Sequence, residues 1–353
     1  MKKTVLIATV MALVIAAAGL VLGGCGKKSS GDVAATVRGE KLMESTVTDY
    51  IQDYRASNAL EGDEDWANYL YINGYTPETL RENVIEYFAD RMAVQQAAKS
   101  NGVQISDDEV REGIAQMRAQ YGYTDDASWD LALQNMGFTA DQFAEEMRYT
   151  MLEEALLDKA VPKVAASQEQ LEEMAATYGA GYAGKRSSHI LVADEASAQA
   201  ILSRLQPQVE NPNFAETFAS EAKANSIDTG SAATGGDVGW DCITPFVAPY
   251  QEALDKLEPG QLSGVVKSNY GYHIIYCTEE FKVEDDQAVS VQDMPESIRA
   301  QFEVDVNEYL YDQAKNAYLD QLKSNYELVV NDMPKGLPYD VDMSLAATPS
   351  TSE

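Results

Sequence analysis

Histidine, cysteine and positive charge are all scarce in this chain of 353 residues: two histidines, three cysteines, and 26 Lys and Arg against 57 Asp and Glu. Each scarcity excludes something. A formal charge of -31 repels nucleic-acid phosphates and anionic lipid head groups, so DNA and RNA are excluded as partners. The acid is spread through every predicted helix rather than massed in one tract, which makes solubility its simplest role. Two histidines also leave few ways to build a metal centre. A zinc site from His189, Cys242, His273 and Cys277 would lack the closely spaced ligand pairs such sites use, so neither metal nor cofactor is expected. With Cys25 placed in a targeting segment, Cys242 and Cys277 remain. A disulfide between them is allowed in an oxidising compartment, and so are two free, partly buried thiols.

A long uncharged run over 5–22 comes after the basic start MKK and precedes Leu22-Gly23-Gly24-Cys25. Small residues before a cysteine suit a peptidase that needs a slim, extended backbone. The pattern resembles a bacterial lipoprotein signal. That resemblance implies removal of residues 1–24, diacylglycerol on Cys25, a tether over 25–31, and a body held at the extracytoplasmic face of the cell membrane. The alternative is an uncleaved transmembrane anchor, since the run is about long enough to span a bilayer.

Beyond the tether, VAATVRGEKL reads as a strand with a turn at Gly39. Helices come next. One runs from Ser45 to about Ser57. Another has Thr76 as N-cap, Pro77 in its first turn and Asn101-Gly102 as its stop. Ser106 with Glu109, and Thr139 with Gln142, form capping boxes for two more. The helix over 140–160 carries Phe143, Met147, Met151 and Leu152 on one face, and a last helix over 168–178 ends at Gly179. From Lys185 strands and helices alternate, which implies a small α/β or α+β unit over 184–281. A long helix then spans 295–324. Its apolar residues Ile298, Phe302, Val306, Leu310, Ala314, Tyr318 and Leu322 step by four, so the stripe drifts around the helix and meets several neighbours. YELVVND reads as a strand that pairs with VAATVRGEKL and closes a discontinuous domain. Residues 333–353 lack periodicity and read as a disordered tail.

The two histidines each open a strand-like run, SSHILV and YGYHIIY. Along a strand, His189 shares a face with Leu191, and His273 with Ile275 and Cys277. If the strands are neighbours, the imidazoles meet within an apolar sheet. Each buried ring then needs a partner for its second nitrogen. Ser268 and Thr229 carry hydroxyls that can serve.

These blocks, with GGDVGW and LEPGQLSGVVKSNYGYHIIY, resemble the parvulin family of peptidyl-prolyl isomerases over about 185–280. The flanking helices and lipobox resemble exported foldases of the PrsA and SurA type. The resemblance implies an α+β fold: a small parvulin domain with a four-stranded antiparallel sheet (184–281), inserted in a mainly helical SurA-N-like chaperone domain (32–183 and 287–332). It implies catalytic positions at His189, His273, Ser268 and Asp228, with Thr229 as the alternate to Asp228. It implies a proline pocket from Val238, Phe246 and Tyr250, the last two one helical turn apart. Basic residues that would recruit a phosphate have no counterpart in ADEASA after HILV.

Rotation about an X-Pro bond crosses a barrier of roughly 18–20 kcal/mol without breaking any bond, so a dry aromatic slot and local electrostatics suffice and no nucleophile is needed. Two functions fit. One is an isomerase acting on X-Pro bonds of unfolded, exported polypeptides. The other is a holdase with an inert parvulin domain. Both are compatible with a homodimer. A solute-binding lipoprotein would need two large α/β lobes, and one compact unit is visible.

Overall fold

Residues 31–284 and 288–346 are described by the computed structural model. The expected signal peptide, Cys25 and all of the tether but Gly31 lie outside the described residues. Among the described residues, no helix is long and apolar enough to cross a membrane. In chain order the elements are β1 (Val33–Val37), β2 (Glu40–Met43), α1 (Glu44–Ser57), α2 (Asp63–Ile72), α3 (Pro77–Ser100), α4 (Asp107–Gln120), α5 (Asp126–Asn135) and α6 (Ala140–Ala160). Then come α7 (Gln168–Tyr178), β3 (Gly184–Val192), α8 (Glu195–Leu205), α9 (Phe214–Asn225), α10 (Thr229–Ala232), β4 (Asp237–Trp240) and α11 (Ala248–Leu254). The last are β5 (Val266–Ser268), β6 (Gly271–Phe281), α12 (Glu296–Ser324) and β7 (Leu328–Val330).

The described residues form two compact units, one from 31–163 with 312–346, the other from within 164–311. In the first, β1 and β2 form a hairpin through Arg38 and Gly39, both at positive φ. The expected YELVVND strand pairs on the other side of β1, with Val37 opposite Leu328 and Ala35 opposite Val330. The capping boxes at Thr76, Ser106 and Thr139 form as the sequence indicates. Two short helices, α2 and α5, go unseen in the periodicity. Each is only ten residues long, and each is fixed by a buried tryptophan, Trp66 or Trp129. Met147 is buried and Met151 half-buried in the Trp129 cluster, so the methionines of α6 are core rather than an open binding face.

A bidentate ion pair holds the hairpin side of this unit. Arg81 of α3 meets Glu44 of α1 at 2.6 Å, and a further Arg81 nitrogen donates to the Asn331 carbonyl just past β7. Both side chains are buried, which makes the pair valuable only while it stays complete.

Over its described residues, 333–346, the expected tail is packed against the first unit. Tyr339 is fully buried, and Leu337, Val341 and Met343 pack half-buried beside it. The segment has no helical or strand period because side chains of α1 and α2 hold its carbonyls, so hydropathy patterning has nothing to register.

The second unit is larger than the expected 184–281 module. Helix α7 and the first half of α12 join it, because Leu171, Ala175, Ile298, Phe302 and Val306 share one apolar cluster with Trp240 and Phe281. The drifting stripe of α12 explains this: Ile298 to Leu310 serve that cluster, whereas Tyr318, Leu319 and Leu322 serve one in the first unit. The sheet has four antiparallel strands in the order β4-β3-β6-β5. Ile190, Val192 and Ile274 face α8 and α9. Ile275 and Cys277 face α11.

Gly236 lets β4 approach β3. Its φ is +84°, and a Cβ there would stand 2.2 Å from the His189 carbonyl oxygen. That carbonyl belongs to a residue whose own N–H donates to the Gly236 carbonyl at 2.7 Å. Gly236→Ala is therefore expected to cost ~1–3 kcal/mol for the backbone conformation, with the clash in addition. Urea unfolding of the full chain checks this, and an unchanged midpoint would contradict it.

Candidate active site

His189 on β3 pairs across the sheet with Ile275, and His273 on β6 pairs with Leu191. The two histidines are thus diagonal neighbours on one face, close enough for long side chains to meet. Their rings stack with centroids 5.2 Å apart, and Nδ1 lies 3.1 Å from Nδ1. Both residues are buried. At the outer ends, His189 Nε2 lies 2.8 Å from Asp228 Oδ2, and His273 Nε2 lies 2.7 Å from Ser268 Oγ.

This chain of bonds has a fixed direction. A carboxylate oxygen only accepts, so His189 Nε2 carries the proton that Asp228 receives. In a neutral ring His189 Nδ1 is then a lone pair, and His273 Nδ1 must donate to it. His273 Nε2 is left to accept from the Ser268 hydroxyl. Ser268 in turn accepts from the Tyr270 N–H at 3.0 Å. Every buried polar group in the run is satisfied by one arrangement of protons.

Asp228 is held from its other side by residues of its own loop. The Ser231 hydroxyl donates to Oδ2, and the Gly230 N–H donates to Oδ1 at 3.1 Å. These bonds, the Ser231 one foremost, hold the carboxyl below its ordinary range despite partial burial. The hydroxyl on this flank is that of Ser231 and not of Thr229, which opens α10. The signal that finds Ser231 is the Asp-x-x-Ser spacing of a helix cap. Ser226 supports the same loop by accepting from the Leu191 N–H at 3.1 Å.

Tyr250 forms the floor beside the imidazoles. Its ring stands edge-on to both, with centroids 5.7 Å from His189 and 5.5 Å from His273. Its hydroxyl pairs with Ser187 Oγ at 3.0 Å, a contact that leaves no signature in the sequence. Burial pushes its phenol pKa upward, so it stays protonated. Phe246 lies 4.7 Å from Tyr250 between centroids, half-buried, with Val238 packed in the same cluster. The expected helical spacing is corrected: α11 begins at Ala248 with Val247 as N-cap, so Phe246 sits on the loop before it. The two rings still meet because the loop turns into the helix at that point. Cys242 and Cys277 are both free and belong to different clusters, so they form no disulfide.

Two stretches of the chain match known domain families. Residues 187–279 match the PPIC-type PPIase domain, and residues 1–157 match the SurA-like N-terminal domain. The chain thus carries a parvulin-type peptidyl-prolyl isomerase domain and a SurA-like N-terminal domain in an α+β fold. Among named relatives, it is 29% identical over 272 residues to Foldase protein PrsA of Caldanaerobacter subterraneus, covering 76% of this chain and 81% of that one. It is 33% identical over 193 residues to Foldase protein PrsA of Geobacillus kaustophilus, covering 54% of this chain and 62% of that one. Among solved structures, PrsA from Bacillus subtilis aligns at 19% identity and a TM-score of 0.33, over 86% of this chain and 96% of that one. A SurA-like chaperone structure from Campylobacter jejuni aligns at 11% identity and a TM-score of 0.41, over 86% and 100%. The assignment rests on the sequence matches and not on these superpositions.

Burial, with the neighbouring His189, drives the His273 pKa down from 6.5 to about 4. Between those values the unfolded chain binds a proton that the folded one refuses. Stability is therefore expected to fall as pH drops from about 6.5 towards about 4, with Asp228 adding loss at lower pH. Ring nitrogen NMR tests the proton arrangement directly. At pH 7 it should show His273 protonated on Nδ1 and His189 on Nε2; the opposite tautomers would refute the assignment.

Proposed function

We propose that the protein is a membrane-anchored extracytoplasmic foldase that turns over X-Pro bonds of unfolded exported polypeptides at this site. The observation that carries the reading is the unbroken hydrogen-bonded run Ser268–His273–His189–Asp228 lying beside the Phe246–Tyr250 slot.

The mechanism is set by what amide rotation needs. The pyrrolidine ring packs against Phe246, with Val238 and Tyr250 behind it. Moving the amide from water to this apolar surface disfavours its charge-separated resonance form and so lowers the cost of twisting. Asp228, partly exposed and fixed by its loop, supplies a stationary negative charge at the edge of the slot. The histidines are positioning residues: they join two strands and hold Asp228 and Ser268 at fixed ends. No step requires them to exchange a proton with substrate. Arg186, on the same strand as His189, is already bound to Asp237 and Glu279. Its charge is therefore committed, and phosphorylated residues before proline gain nothing from it.

The anchor would be diacylglycerol on Cys25. Cys25→Ser should shift the protein from the detergent phase to the aqueous phase on partitioning.

Turnover of a proline-containing peptide by the full chain tests the site. Phe246→Ala and Asp228→Ala are each expected to lower kcat/KM about tenfold or more, which is ~1.4 kcal/mol of transition-state stabilisation. Absence of turnover in the unaltered protein, with aggregation suppression retained, would instead favour the holdase reading.

A further inference from the structure

Past β7 the chain is clamped at Asn331. Its N–H donates to the Ala34 carbonyl at 2.9 Å, its side-chain amide to the Val33 carbonyl at 2.7 Å, and its own carbonyl accepts from Arg81. Beyond this clamp, residues 333–345 form a strap that lies over α1 and α2. The strap joins no sheet and contains only a short helical turn, Met343–Leu345.

The strap is held in part through its backbone. Two of its backbone carbonyls are gripped by side chains: Pro338 by Arg55 at 2.7 Å, and Tyr339 by the Trp66 indole at 3.0 Å. Such contacts read the backbone and are indifferent to side-chain identity. One side chain, Tyr339, fills a slot completely, and its phenol donates to Glu44 at 3.0 Å. The Arg55 guanidinium lies over the Trp66 ring at 5.1 Å, and Trp66 stacks on Tyr69 at 5.5 Å.

Nearly every polar group that grips the strap keeps another partner without it. Glu44 retains its two-pronged pair with Arg81. Arg55 retains the carbonyls of Leu60 and Glu61 and the Gln52 side chain. Lifting the strap therefore strands no buried charge, the usual reason such a segment cannot leave. Only the Trp66 N–H would turn to water.

We propose that the Trp66–Glu44 groove is a second peptide-binding site, for extended aromatic-bearing segments of unfolded chains, and that residues 337–339 are its resident, displaceable occupant. The proposal rests on the foldase reading, because it supplies the helical unit with a way to hold a client of the isomerase. Backbone capture gives breadth, and the Tyr339 slot gives a preference for one buried aromatic ring.

The test uses the full-length protein, the Tyr339→Ala variant, and a fluorescein-labelled synthetic peptide with the sequence of residues 336–342. The variant should bind the peptide at least tenfold more tightly than the unaltered protein, and a peptide with Ala in place of its Tyr should lose that gain. Equal binding by both proteins overturns the proposal. If Tyr339→Ala fails to fold, the unaltered protein decides. Excess peptide should then speed hydrogen exchange at the Asp340 amide, which the turn to Leu337 protects, and an unchanged rate overturns the proposal. Turnover of a proline peptide is measured in parallel. Its loss would count against the foldase reading while leaving the groove result to stand or fall by itself.

Discussion

Two antiparallel strands, distant in sequence, must lie side by side in one register for this site to exist. His189 faces Ile275 and His273 faces Leu191, so the imidazoles fall on a diagonal of one sheet face. A slip of one residue would turn one ring to the opposite face, into the α8–α9 core. The slip is blocked by packing on both faces: Ile190 and Ile274 are fully buried on one side, Ile275 and Cys277 on the other. The hydrogen-bonded run from Ser268 to Asp228 is thus a consequence of apolar packing. The polar groups add direction and specificity to a geometry already imposed.

That direction has a functional meaning. One end of the run is a carboxylate anchored by Ser231 and Gly230; the other is a hydroxyl anchored by the Tyr270 N–H. Between them the rings can neither rotate nor trade tautomers without breaking several bonds at once. A reaction that is only a rotation has little use for acid–base chemistry and much use for fixed walls and fixed charges. The site has those, and Tyr250 closes its floor with a hydroxyl tied back to Ser187.

Much of this is legible in the sequence for definite reasons. The alternation in SSHILV and YGYHIIY places each histidine on a strand face, and the capping residues Thr76, Ser106 and Thr139 announce their helices. The hidden parts depend on tertiary partners. Ser231 outranks Thr229 because α10 begins at Thr229 and turns its third residue back onto Asp228. Phe246 lies off the helix because Val247 caps it. The compact unit that contains the 184–281 module reaches further, from 164 to 311, because Leu171 and Phe302 pack with Trp240, a contact no periodicity records. The segment after Met333 looks structureless because its order comes from carbonyls held by Arg55 and Trp66, which leave no hydropathy trace.

The pairing of β1 with β7 also sets a timetable. Val37 opposes Leu328 across nearly the whole length of the chain, so the first unit cannot close until almost everything else has emerged. The second unit, drawn wholly from residues between 164 and 311, has no such wait. Loop closure over so long a span is slow unless the intervening chain is already compact. As the chain emerges from its N-terminus, the isomerase-bearing unit would be finished first and its own folding would shorten the loop, leaving the helical unit to be sealed last by a three-residue strand and the segment that follows it.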